Sequence, residues 1–164
     1  MHITTDAPEN WREAAEVTAT QIFGCVRTSP RITVNDFLDF HNKFIDDLYK
    51  HPSGDILIAR WATMGAMAIE MAAKEKMPIS QKTLITTLCK KQHDYGPNNI
   101  LRFGQQGVMI RVWDKISRLD NLTKQDYDPV VENESEFDTL LDIAGYSTIG
   151  IMLARGWFRL PLTR

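Results

Sequence analysis

The stretch Ile56-Leu57-Ile58-Ala59-Arg60-Trp61-Ala62-Thr63-Met64-Gly65-Ala66-Met67-Ala68-Ile69-Glu70-Met71-Ala72-Ala73 decides the fold class. It is the longest weakly polar run in the chain, and it has two readings: a membrane span or a core helix. Arg60 and Glu70 interrupt it, and a charge inside a span is costly. Ile58, Trp61, Ala62, Gly65, Ala68, Ile69 and Ala72 recur at helical spacing as a wide stripe of mostly small residues. Such a stripe suits close packing against a neighbouring helix. The stretch therefore reads as a buried amphipathic helix opening near Ser53 or Asp55 and stopped by Met77-Pro78.

The same period extends outward in both directions. Asp6-x-x-Glu9 with Pro8 between them predicts a first helix over residues 8–22, broken by Gly24 and Thr28-Ser29-Pro30. Thr33-x-x-Asp36 is a second capping signal, followed by Phe37, Phe40, Phe44 and Leu48 on one face. Ser80 caps a short fourth helix ending at Lys90 or Lys91. A turn from His93 to Asn98 follows, and then a fifth helical region to Leu122, bent near Gly104 or Gly107. A polar linker over 123–133 leads to a last helix over 134–155, and residues 157–164 form an extended tail. No strand alternation interrupts this series. The expected fold is an all-α, single-domain bundle of about six helices covering residues 1–164.

Length and composition agree. The chain has 164 residues, 43% apolar and 24% charged, enough for one full core and marginal for two. The net charge of −2 offers no basic patch for duplex nucleic acid or for an acidic membrane. Cys25 and Cys89 are too few and too isolated for a disulfide framework or a zinc site. The first ten residues lack a basic start followed by an apolar core, so no secretory signal is read there. The expected location is the cytoplasm.

The candidate chemistry lies between Lys91 and Tyr146. Glu134, Asp138, Asp142 and Tyr146 are spaced by four and line one face of the last helix, beside the apolar Phe137, Leu140, Leu141 and Ala144. Carboxylates one turn apart repel each other, so a cation should offset them. That cation is either Mg2+ or Mn2+, which prefer carboxylate oxygens, or a basic side chain from another helix. A solvated acidic face near a helix N-terminus is the plain alternative.

The fifth region places Arg111, Asp114 and Arg118 at i, i+3 and i+7. The two arginines can hold phosphate oxygens and Asp114 can add a metal ligand; the same pattern also fits an exposed face of local ion pairs. In Lys91-x-x-Asp94-Tyr95-Gly96-Pro97-Asn98-Asn99, Gly96 can take positive φ and Asn98 can cap the next helix. Lys91 and Arg102 bring charge, and Tyr95 can stack on a base. An ordinary helix connection explains the same residues. His41, on the Phe37/Phe44 face, reads as a histidine at the core edge.

Taken together, Lys91-Gln92-His93-Asp94-Tyr95-Gly96, Ile100-Leu101-Arg102-Phe103-Gly104, Arg111-Val112-Trp113-Asp114-Lys115-Ile116-Ser117-Arg118-Leu119, Asn133-Glu134-Ser135 and residues 138–146 resemble the nucleotide-modification-associated domain family. Its members occur largely in bacteriophages and are often described as MazG-like. The resemblance covers residues 90–153, and residues 1–79 carry no resemblance. It implies a helical protein acting on the nucleotide pool. The wider MazG-like class comprises all-α nucleoside triphosphate pyrophosphohydrolases that hold Mg2+ on a Glu-x-x-Glu helix and a later Glu-x-x-Asp helix. Here the earlier helix offers Asp114 and Asp120, with Arg118 between them, and the later helix spaces its acids by four.

The resulting expectation is a Mg2+-dependent (Mg2+ or Mn2+) nucleotide-processing enzyme acting on a (deoxy)nucleoside triphosphate. Asp114, Asp138 and Asp142 are its catalytic candidates, joined by Glu134 as metal ligands. Lys91, Asp94, Tyr95, Arg102, Arg111, Arg118 and Tyr146 would bind substrate. By the same resemblance the protein is a homo-oligomer, with the small-residue third helix as a packing surface. A non-catalytic nucleotide-binding or sequestering protein using the same pocket is the alternative. An interaction module presenting Phe40, Trp61 and Trp157 is a third.

Overall fold

A computed structural model of the chain describes residues 6–28, 31–50, 53–125 and 135–162. Among them are seven helices and no strand: α1 (Trp11–Gly24), α2 (Val34–Lys50), α3 (Gly54–Lys74), α4 (Gln81–Tyr95), α5 (Asn98–Leu101), α6 (Gly104–Gln125) and α7 (Glu136–Ala154). The fold is an all-α bundle, as the periodicity predicts.

The centre of the bundle is the pairing of α3 with α7, flanked by α1 and α6. Both central helices are long and apolar enough to cross a membrane by length and composition. Here they spend that apolar surface on each other. Gly65 shows why the stripe of α3 is small: a Cβ there would lie 2.9 Å from Ile22 Cγ2 and 3.1 Å from Ser147 Cβ. Gly150 of α7 is tighter still, since a Cβ there would collide with the Trp61 indole. Trp61 Nε1–H donates to Gln105 Oε1 at 2.7 Å, and Gln105 Nε2–H donates to the Gly150 carbonyl at 2.8 Å. This polar bridge ties α3, α6 and α7 together inside the core. The small-residue stripe is thus covered by the chain itself, and Trp61 is fully buried and faces no partner.

Local signals are placed well in the middle of the chain and less well at its ends. Ser53 and Ser80 cap α3 and α4, each accepting from the backbone three residues on. Thr33 and Asp36 form the expected reciprocal pair at the start of α2: Asp36 Oδ2 accepts from the Thr33 N–H at 2.8 Å. At α1 the cap is Asn10, not Asp6; Asn10 Oδ1 accepts from Glu13 N–H, and Glu13 Oε2 from Glu9 N–H. The tail does not extend. It turns at Gly156 (φ +76) and brings the Pro161 carbonyl to within 2.6 Å of Trp11 N, where it accepts from the first turn of α1. Gly104 (φ +57) breaks the fifth region outright, leaving α5 as a single turn before α6.

Candidate functional site

Helix α4 runs four residues beyond the expected Lys91, so Lys91, Asp94 and Tyr95 sit in its last turns and not in a loop. Gly96 at φ +65 ends it, and Pro97, which has no N–H, prevents its continuation. Asn98 does not cap the next helix: Pro97 occupies that position without a side-chain hydrogen bond. This short break leaves α5 packed against α6.

The result is a cavity of about 190 Å³. Leu88, Lys91 and Tyr95 share one face of α4 and line one wall of it. Arg111 of α6 and Tyr146 of α7 line the others, and Asn99 and Ile100 of α5 close it. Its apolar lining comes from buried residues, Leu88, Ile100 and Trp11 of α1, the last only 1% exposed. Four of the seven expected substrate-binding residues, Lys91, Tyr95, Arg111 and Tyr146, are therefore brought together. Trp11 and Asn99 were not singled out in the sequence. Trp11 looks like any aromatic at a helix start; only the docking of α1 on α4 places it here.

Asp142 lies beside this cavity, lining a small adjoining one with Lys91 and Tyr146. Its carboxylate spans two ammonium groups: Oδ1 is 2.9 Å from Lys91 Nζ and Oδ2 is 3.0 Å from Lys115 Nζ. Of the two expected ways of offsetting its charge, the described contacts are the basic side chains. Lys115 had no assigned role in the sequence. On α6 both i+3 and i+4 from Arg111 neighbour it, and the docking of α7 turns Lys115 inward while Asp114 is left exposed.

The remaining candidates are dispersed. Asp138 completes a capping box: its Oδ2 accepts from Ser135 N–H at 3.2 Å and from Ser135 Oγ–H at 2.8 Å. Arg118 donates to Thr139 Oγ1, fastening the first turn of α7 to α6. Asp120 pairs with Lys124 along its own helix. Asp94 is exposed and meets only the neighbouring His93 ring, 3.1 Å away, among the described contacts. Arg102 is exposed over the Phe103 ring, outside the cavity. Glu134 lies outside the described residues. Among the described residues no three carboxylate, histidine or cysteine groups gather as a metal site. The described members of the expected set thus do not fit a Mg2+ or Mn2+ centre: one caps a helix, one bridges two lysines and one faces outward.

A second, apolar groove of about 260 Å³ lies between α2 and α6, edged by the exposed Tyr49, Ile110 and Trp113. His41 is buried behind it, 2% exposed, with Nε2 3.5 Å from the Met109 carbonyl and its ring against Trp113. Burial holds its pKa below the ordinary histidine value, against the smaller opposing effect of the Met109 carbonyl. It is a core histidine. Cys25 and Cys89 are free thiols. No protein-family model, curated protein or solved structure matches this chain.

Proposed function

We propose that this protein binds a (deoxy)nucleotide in the α1/α4/α6/α7 cavity. The observation that carries the reading is convergence. Lys91, Tyr95, Arg111 and Tyr146 come from three helices far apart in sequence, yet line one concave site with an apolar lining. Lys91 and Arg111 supply positive charge for phosphate oxygens. Tyr95, 70% exposed at the mouth, and Tyr146 supply aromatic faces for a base or sugar. No carboxylate among the described contacts pairs with Arg111, which leaves its guanidinium for a ligand anion. The resemblance to phage nucleotide-modification proteins points to the same ligand class, in the nucleotide metabolism of an infected cytoplasm.

Binding is favoured over hydrolysis, because the described carboxylates do not gather around a common point. A divalent cation would enter with the phosphates as their counter-ion. Calorimetry with each dNTP, with and without Mg2+, tests the reading; pyrophosphate and monophosphate are measured in the same mixtures. The expected result is saturable binding, weakened about tenfold by Lys91→Met or Arg111→Met, as for loss of one charged hydrogen bond. Absence of binding by every dNTP overturns the proposal. Release of pyrophosphate with nucleoside monophosphate would restore the pyrophosphohydrolase reading. The expected homo-oligomer would have to form on a face other than the covered α3 stripe, and sedimentation reads its state.

A further inference from the structure

Four of the six large hydrophobic side chains that are exposed among the described residues lie on or beside the α2/α6 groove: Tyr49 (68% exposed), Phe103 (65%), Ile110 (63%) and Trp113 (40%). Phe103 precedes α6 and lies against its first turn, since a Cβ on Gly107 would stand 2.7 Å from Phe103 Cβ. The pattern along α6 is regular. Between residues 103 and 117 the exposed positions are Phe103, Gln106, Ile110, Trp113, Asp114 and Ser117. Asp114 apart, they follow the alternating three- and four-residue spacing of a helix–helix seam. A solvated face would carry charges there.

We propose that this face binds a second copy of the chain in a two-fold dimer, with α6 antiparallel to its counterpart. Charge selects the occupant and the direction. Arg102, beside Phe103, and Asp114, beside Trp113, are both exposed and mark opposite ends of the stripe. A two-fold contact presents the same surface twice. With the helices parallel, arginine would meet arginine and aspartate would meet aspartate. Antiparallel, with the axis level with Val108, Arg102 stands opposite the second copy's Asp114, Phe103 opposite Trp113 and Gln106 opposite Ile110, because the members of each pair are equidistant from residue 108. Unlike charges then close both ends of an apolar seam. Phe103 of each copy comes level with the Trp113 wall of the other's groove.

Area supports this occupant. An aromatic side chain buries about 150–250 Å², so the exposed fractions of these four leave roughly 400–500 Å² of apolar surface in one place. That is about half of the ~800 Å² that each partner of a standard interface buries. Its composition also fits, because the centre of an interface is rich in Trp, Tyr and Phe and poor in charge. The groove shares no lining residue with the nucleotide cavity, so dimer formation and nucleotide binding are separable.

Sedimentation equilibrium of the full chain across the micromolar range tests the proposal. A reversible monomer–dimer equilibrium without higher species is expected, because a two-fold contact closes on itself. Ile110→Lys, at an exposed position, is expected to leave a monomer with the parent's helical circular dichroism. Arg102→Asp and Asp114→Arg are each expected to raise the dimer dissociation constant about tenfold at low salt, since each swap sets like charges together twice. The combined swap is expected to restore it. A monomeric parent, or an Ile110→Lys variant that dimerises as the parent does, overturns the interface. Single swaps without effect, or a combined swap that restores nothing, overturn the antiparallel register.

Discussion

Asp142 Oδ1 lies 2.9 Å from Lys91 Nζ across 51 residues of chain, and its second oxygen holds Lys115 at 3.0 Å. One carboxylate on α7 thus fastens α4 and α6 at the edge of the cavity. The two contacts are not equivalent. Side-chain exposure is 51% for Lys91 and 22% for Lys115, so water screens the first more than the second.

Double-mutant cycles on this triad should show that inequality. Asp142→Asn is expected to destabilise the fold by about 1 kcal/mol in urea unfolding at low salt. Its coupling with Lys115→Met should exceed that with Lys91→Met. Equal couplings would mean that Lys91 is held as firmly as Lys115, leaving it no freedom to engage a ligand.

Asp138 separates a structural acid from a metal ligand. As the reciprocal partner of Ser135 in the cap of α7, Asp138→Ala should cost about 1 kcal/mol of stability. Nucleotide affinity, measured below the unfolding transition with Mg2+ present, should stay within twofold of the parent, roughly the spread ordinary for a residue outside the site. A large loss of Mg2+-dependent affinity would return Asp138 to the ligand set.

Gly150→Ala is expected to be among the most damaging single substitutions. The added methyl would meet the indole of Trp61, which is fully buried and tied to Gln105. Overpacking of this kind costs about 1–3 kcal/mol or more. Thermal unfolding reads the loss, and a changed tryptophan emission reports the displaced Trp61.

Glu136 gives a pH signature. Burial, and secondarily the Glu75 carboxylate, raise its pKa above the ordinary glutamate value. Its charged form is therefore penalised in the fold, and stability falls as pH rises from the unfolded pKa through the folded one. Glu136→Gln should be more stable than the parent at pH 7, and the difference should vanish below the unfolded pKa. Denaturant midpoints at pH 3 and pH 7 check both halves.

Much of the fold was legible because its signals are local. Ser53, Ser80 and the Thr33/Asp36 pair announce helix starts with atoms at most three residues away. Errors arose where a distant contact chose between local alternatives. Residues 91–95 could end α4 or begin a loop. Asn10 displaced Asp6 at the start of α1, where the returning carbonyl of Pro161 meets the first turn. Of the candidate site, Arg111 and Tyr146 were visible as helix-face patterns, and Lys91 and Tyr95 as parts of a turn motif. Trp11 and Asn99 were not, since only the packing of α1 on α4 and of α5 on α6 places them at the cavity.

The sequence by itself determined that this chain is helical, that the stretch forming α3 is a buried helix, and that Arg111, Asp142 and Tyr146 lie on polar stripes of two later helices, with Lys91 in a turn motif before them. Periodicity of 3.6 and capping chemistry are properties of adjacent residues, and they survive without knowledge of the partner helix. Only the tertiary structure decided which stripe faces which. Whether Asp142 meets a metal or two lysines, and whether Asp114 or Lys115 turns inward, depends on the rotation of α6 against α7. That rotation is set by the packing of Gly150, Trp61 and Gln105, and no short stretch of sequence encodes it.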